Sequence, residues 1–83
     1  MGPNFSTLIE TRAEKVKVTN KDLIIYFVDG RRLDVPLKWF PKLLKASPRQ
    51  KNKYRLIGNG VGIHWPEIDE DLSINGLIGL HND

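Results

Sequence analysis

Apolar and polar residues alternate in the first part of the chain in the manner of β-strands. Lys15–Val18 alternates between the two classes, and Arg31–Val35 does the same after the Asp29-Gly30 pair. Between them, residues 23–28 are apolar on both faces and rich in β-branched and aromatic side chains. A side-chain period of two indicates strands, and Asp-Gly favours a two-residue type I′ hairpin turn. The pattern predicts a three-stranded antiparallel meander whose central strand is covered on both faces, by the chain itself or by a partner subunit.

Helical spacing replaces this alternation after residue 36. The predicted helix covers 37–46 and contains Pro41 in its first turn, where the missing N–H has no intrahelical partner. A kink and a second short helix, reaching about Lys53, follow because Ser47 and Gln50 fit the two ends of a capping box. The apolar positions that carry the helical spacing are Leu37, Phe40 and Leu44.

The last third of the chain combines a hairpin signal with a helix cap. Asn59-Gly60 separates the apolar runs 54–57 and 61–65, which predicts a β-hairpin. The segment between this hairpin and the next cap is acidic and is interpreted as a loop. Ser73 then fits the N-cap position of a short C-terminal helix.

The resulting order of elements is βββαββα, which belongs to the α+β class. It comprises a three-stranded antiparallel meander, a helix, a β-hairpin and a short C-terminal helix. A chain of 83 residues is expected to form one domain, which we place at 13–83 after a partly ordered lead-in over 1–12. The chain has no cysteine, so disulfides and Cys-type zinc sites do not contribute. The fold depends on an apolar core, and a homodimer is one assembly that would extend it.

The formal net charge of +3 conceals two segments of opposite sign. Residues 1–55 contain all thirteen basic residues and five acids, a net charge of +8, whereas residues 56–83 contain five acids and no Lys or Arg, a net charge of −5. Such asymmetry bears on partners rather than on the fold. It leaves open whether the two segments pair with each other or with other molecules.

The basic segment contains a run of cations that is the main candidate surface. Its members are Lys38, Lys42, Lys45, Arg49, Lys51, Lys53 and Arg55, with no acid between them. On a helix, the first three would form a stripe at i, i+4 and i+7. Three interpretations stay open, in order of preference: a solvated helix face, a surface for a protein partner, and a contact with nucleic acid. The last would need a groove-fitting element or stacking aromatics, and the sequence shows neither.

A histidine and an acidic stretch form the candidate metal site. The candidates are His64, Glu67, Asp69 and Asp71, which lie on both sides of Pro66. A metal site needs three or four ligands that converge on one point, and this spacing is not that of an EF-hand. The favoured interpretation is a strand histidine, at the sheet surface or bonded to a neighbouring carboxylate, beside a solvated acidic loop. No cofactor is predicted.

The serines of the chain do not indicate nucleophilic catalysis. Ser47 and Ser73 are explained as helix caps, and the chain lacks a Gly-x-Ser-x-Gly motif. No residue is assigned a catalytic role, and we predict that the protein is not an enzyme. The longest apolar run, Leu23–Val28, is too short to span a membrane, and Met1–Asn4 does not resemble a signal peptide. A cytoplasmic protein is expected.

Several blocks of the sequence resemble an uncharacterised bacterial family, the domain-of-unknown-function family numbered 2442. The most specific block is His64-Trp65-Pro66 followed by Asp69-x-Asp71-Leu72-Ser73. The resemblance covers roughly residues 13–80 and implies a small α+β domain without an established activity. It also implies a recurrent gene neighbour, because genes of this family often lie beside genes of another small family in a pattern suggestive of toxin–antitoxin pairs. The other matching blocks are 27–31, 37–41 with Leu43-Leu44, 54–58 and 62–63.

Three functional hypotheses follow from these observations. The first is a small non-catalytic protein-interaction module, the antitoxin-like or regulatory half of a two-protein system. The alternative is a nucleic-acid-binding regulator that uses the basic helical region 38–55. A minor alternative is a metal-dependent enzyme at the cluster of His64 and the acidic loop.

Overall fold

The computed structural model describes residues 11–81 and confirms an α+β fold. Its first sheet contains β1 (Ala13–Val18), β2 (Asp22–Phe27) and β3 (Arg32–Pro36), in that order and antiparallel. The predicted meander is therefore present, with the apolar strand β2 in the centre. Residues 1–10 of the predicted lead-in over 1–12 lie outside the described residues.

The turn between β2 and β3 differs from the predicted two-residue type I′ turn. Gly30 N donates to Phe27 O, and Phe27 N donates to Arg31 O, so the loop consists of three residues. A type I′ turn needs positive φ at both central residues, and only Gly30, with φ of +94°, has it here. Val28 consequently leaves the strand and is exposed.

Residues 37–46 form two short elements instead of the predicted continuous helix. A 3₁₀ turn covers Leu37–Trp39, and α1 (Pro41–Lys45) follows it. Phe40 separates them with φ of −128° and ψ of 84°. A residue before proline is driven out of the α region, so α1 can begin only at Pro41 itself. Sequence spacing alone did not account for this steric effect.

The capping box predicted for the next helix is confirmed. In α2 (Pro48–Asn52), Gln50 N donates to Ser47 Oγ at 3.2 Å. In return, Ser47 N donates to the Gln50 side-chain oxygen at 3.0 Å. Two N–H groups that the first helical turn cannot satisfy thereby obtain partners.

A second sheet follows, and it contains one strand more than predicted. Its strands β4 (Arg55–Ile57), β5 (Gly62–Trp65) and β6 (Glu70–Ser73) are antiparallel in that order. The predicted hairpin between β4 and β5 is present, but Ile57 pairs with Gly62, so four residues connect the strands and Gly58, Asn59 and Gly60 all have positive φ. The acidic segment interpreted as a loop instead ends in the edge strand β6.

The C-terminal helix α3 (Ile74–His81) follows β6 directly. Ser73 Oγ accepts a hydrogen bond from Gly76 N at 3.0 Å, which confirms the predicted cap. Ile74 and Leu77 are buried, so the helix packs onto the rest of the domain through its first turns. No helix within residues 11–81 is long and apolar enough to cross a membrane.

Both sheets and the helical region share one apolar core. Trp65 is fully buried within it, and its indole Nε1 donates to Lys51 O at 3.0 Å. The outer face of β2 does not depend on a partner subunit, because Ile24 retains only 8% exposure within the single chain. The other buried members are Ala13, Val16, Leu23, Ile25, Phe27, Val35, Leu37, Phe40, Leu43, Ile63, Ile74 and Leu77.

Two hydrogen bonds join β1 to the turn between β4 and β5 and to the residue that precedes β4. Ala13 N donates to Gly60 O at 2.7 Å. Farther along β1, Val16 N donates to the Tyr54 hydroxyl at 3.0 Å. Because β1 is an edge strand of the first sheet, these bonds satisfy N–H groups that have no strand partner.

Candidate functional site

The basic and acidic segments of the chain meet in the folded domain. Both terminal nitrogens of Arg49 bind the Glu67 carboxylate at 3.0 Å, and Lys53 Nζ binds it at 3.0 Å. The hydrogen bonds from Arg49, followed by those from Lys53, lower the pKa of Glu67 below its ordinary value. The turn between β5 and β6 is thus tied to α2.

The predicted lysine stripe is not formed as one helical face. Lys38 lies on the 3₁₀ turn, whereas Lys42 and Lys45 lie on α1. Lys42 Nζ donates to Asp69 O at 3.2 Å. Lys51 retains only 9% exposure. Internal contacts therefore involve Lys42, Arg49 and Lys53 of the seven predicted cations, and burial removes Lys51 from the surface.

The metal candidates do not converge on one point. His64 Nδ1 and Asp71 Oδ1 are 2.5 Å apart, on the neighbouring strands β5 and β6. Glu67 binds two cations instead. Within residues 11–81, no three His, Cys, Asp or Glu side chains form a group that could hold a metal ion. His64 is bonded to a neighbouring carboxylate, which agrees with one of the favoured interpretations.

An exposed apolar pair flanked by lysines remains on the helical region. Trp39 is 43% exposed and Leu44 is 42% exposed. Lys38 and Lys45 adjoin them in sequence and form no ion pair with another described residue. We call these four residues the Trp39 surface. The elements that carry it, the 3₁₀ turn and α1, contact each other.

Buried neighbours hold the Trp39 surface in place. Leu37 and Leu43 are fully buried, and Phe40 retains 9% exposure. These buried residues recur at every third position, with two exposed residues between them, along a stretch that is helical on both sides of Phe40. The backbone beneath Trp39 and Leu44 is therefore anchored in the core while both side chains face solvent.

Sequence analysis did not identify a second surface, the outer face of the second sheet. Arg55, His64 and Asp71 stand directly opposite one another across the three strands. An open hollow of about 590 Å³ lies beside this row. Its lining includes Ile57, Val61, Gly62, Asp71 and Ser73.

The missed surface depends on β6, whose sequence gives little sign of a strand. Glu70-Asp71-Leu72-Ser73 contains one apolar residue and no β-branched one. The available signal was Leu72: if it is placed inward, its neighbours Asp71 and Ser73 point outward, which is the alternation that β6 shows. Without that strand, Asp71 cannot be placed opposite His64.

The family is decided by a comparison that covers most of the described chain. A family model described as a protein of unknown function (DUF2442) matches residues 13–81. The chain belongs to this family. Its membership confirms the resemblance found in the sequence and places both sheets and α3 within the DUF2442 domain.

A solved structure shares the DUF2442 chain's fold. It is the crystal structure of a protein of unknown function from Rhodospirillum rubrum, 30% identical in sequence, with a TM-score of 0.71. The match covers 82% of this chain and 84% of that chain. No curated protein matches significantly.

Proposed function

We propose that this DUF2442 protein is a small, non-catalytic protein-interaction module and that the Trp39 surface is its contact region. The observation that carries the proposal is the exposure of Trp39 and Leu44 between two lysines that have no acidic partner among the described residues. Tryptophan is enriched at the centres of protein interfaces, where it contributes a large apolar area.

Preorganisation supports this assignment. Binding is weakened when flexible side chains and loops must be ordered, so a contact residue on an anchored backbone costs less to engage. Trp39 and Leu44 lie on such a backbone, since Leu37, Phe40 and Leu43 are buried beneath them.

The finer proposal is that the module is the antitoxin-like or regulatory half of a two-protein system acting in the cytoplasm. Its support is the recurrent gene neighbour that the family resemblance implies, together with an exposed surface that is both apolar and cationic. Contact with nucleic acid through 38–55 is less favoured, because Lys42, Arg49 and Lys53 contact the turn between β5 and β6. Fewer cations then remain for phosphate contacts.

The test compares matched surface variants in the organism that encodes the chain. Tagged wild type, the double variant Trp39→Ala/Leu44→Ala and the control Val28→Ala/Leu80→Ala are used for quantitative affinity capture. The control removes apolar side chains that are 38% and 47% exposed elsewhere in the domain. If the surface is an interface centre, the first variant loses at least about 2 kcal/mol, or roughly thirtyfold in affinity for one protein.

Two results would contradict the proposal. One is equal capture by the wild type and the Trp39→Ala/Leu44→Ala variant. The other is binding of mixed DNA or RNA at low salt that falls steeply as salt rises, which would establish the nucleic-acid alternative. The control variant is expected to capture the partner as the wild type does.

A further inference from the structure

We infer that the outer face of the second sheet binds the same face of a second copy of this chain, about a two-fold axis that runs parallel to β5. This inference is independent of the Trp39 surface, which lies on other elements. It concerns the row Arg55, His64 and Asp71 and the adjoining hollow.

Strand register supplies the geometric argument. Arg55 lies on the edge strand β4, Asp71 lies on the opposite edge strand β6, and both pair with His64 in the middle. A two-fold axis parallel to the central strand exchanges the two edges between facing sheets. It therefore places Arg55 of each copy opposite Asp71 of the other, at the same height along the strands. A face with this property is self-complementary, as a two-fold interface requires.

Arg55 and Asp71, at the two edges of the sheet, have the groups needed for an ion pair between the copies. Asp71 Oδ1 is bonded to His64, which leaves Oδ2 to accept a hydrogen bond from a guanidinium. The Asp71 side chain is 68% exposed. Arg55 is exposed and has no ion-pair partner among residues 11–81. Facing sheets lie about 10 Å apart, a gap that one long and one short side chain can bridge.

Two exposed apolar side chains and a glycine lie beside these charged residues. Ile57 is 48% exposed and Val61 is 51% exposed, both at the hollow. Gly62 occupies the middle of the row that contains Ile57 and Ser73. A Cβ at Gly62 would make ordinary contacts, 3.6 Å to Leu72 O and 3.8 Å to Ile57 Cβ. Packing within one chain thus does not demand glycine, and the gap lies next to Ser73, which the two-fold axis places opposite Ile57 of the second copy.

The first sheet provides the contrast, because its outer face is covered by its own side chains. Lys15 Nζ and the Arg32 guanidinium lie 5.9 Å and 6.0 Å from the centre of the Tyr26 ring. Ile24 on the same face is 8% exposed. The apolar strand β2 suggested a homodimer through the first sheet, and we therefore assign the dimer interface to the second sheet instead. Three short strands offer less than the roughly 800 Å² per partner of a standard interface, so we expect a dissociation constant on the order of micromolar or weaker.

Charge reversal tests this interface by sedimentation velocity over a dilution series up to about 0.5 mM, well above a micromolar dissociation constant. The variants are Arg55→Asp, Asp71→Arg and the double variant, with Lys17→Asp on the first sheet as the matched control. Each single variant should dimerise at least tenfold more weakly than the wild type. The double variant should recover, and an equimolar mixture of the two single variants should form a heterodimer, because opposite charges then face each other at both contacts.

Folding of each variant is checked by circular dichroism, and Ile57→Lys provides a second test that leaves the bond between His64 and Asp71 intact. It should weaken dimerisation without loss of structure, since Ile57 is half exposed. A wild-type chain that stays monomeric throughout the series overturns the inference. Single charge reversals that dimerise as the wild type does also overturn it, because the dimer would then use a different face.

Discussion

Among the glycines of residues 11–81, Gly60 is the position at which an added methyl group should damage the domain most. It lies in the turn between β4 and β5 with φ of +99°, and it is buried against β1. A Cβ built there would stand 2.3 Å from Ala13 O and 2.8 Å from Ala13 N. Those atoms are backbone and cannot rotate away. Gly60 O also accepts the hydrogen bond from Ala13 N, so moving the turn away from β1 would break that bond.

The expected loss for Gly60→Ala follows from three contributions. A left-handed backbone costs a residue with a Cβ about 1–2 kcal/mol, and overpacking in a tight site costs about 1–3 kcal/mol. Loss of the hydrogen bond adds about 1 kcal/mol. The free energy of unfolding should therefore fall by roughly 3–6 kcal/mol. A domain of this length has about 4–12 kcal/mol in total, so the variant is expected to lose at least about a quarter of its stability.

Urea unfolding followed by circular dichroism and by Trp fluorescence measures this effect. Gly30→Ala is the matched control, because Gly30 has a similar φ of +94° but nothing within 4 Å of an added Cβ. It should lose only about 1–2 kcal/mol. Gly79→Ala, in α3 with open space around its Cβ, should gain about 0.5–1 kcal/mol. If Gly60→Ala and Gly30→Ala lose the same free energy, the close contact with β1 does not exist in solution.

Three further substitutions test individual contacts, each by urea unfolding. Tyr54→Phe should lose about 1–2 kcal/mol because Val16 N then has no partner; a loss below about 0.3 kcal/mol would place water at that N–H. Ser47→Ala should lose about 1 kcal/mol as half of the capping box disappears, and an unchanged midpoint would mean that α2 does not need its cap. Glu67→Gln should flatten the acid limb of stability against pH. The pKa of Glu67 is lowered in the folded state, chiefly by Arg49. Its contribution to the free energy of unfolding is therefore present above about pH 4.5 and is lost as the pH falls through the folded pKa. Identical acid limbs would show that the ion pairs are not formed in solution.

Local backbone rules explain which elements could be predicted from the sequence. The Asn59-Gly60 turn and the Ser47 and Ser73 caps depend on residues within a few positions of each other, and the structure contains all of them. The burial of β2 followed from its composition alone. The turn and the caps involve only neighbouring residues, so a pattern over a few positions is sufficient evidence for them.

The features that were missed depend on sterics at one bond or on distant partners. Phe40 breaks the helical segment because of the proline after it, although the apolar spacing continues through it. β6 forms because β5 is available to pair with it, whereas its own residues do not favour a strand. The pairing of Arg49 with Glu67 likewise joins residues that only the fold brings together.

The hydrogen bonds along β1 have a consequence for how other proteins can reach this domain. Edge strands commonly recruit a foreign strand, either in peptide recognition or in aggregation. On β1, the Ala13 and Val16 N–H groups already donate to Gly60 O and the Tyr54 hydroxyl. An incoming strand would have to displace both acceptors before it could extend the first sheet on that side. Recognition is thereby directed away from backbone pairing at β1 and towards the side-chain surfaces on the rest of the molecule.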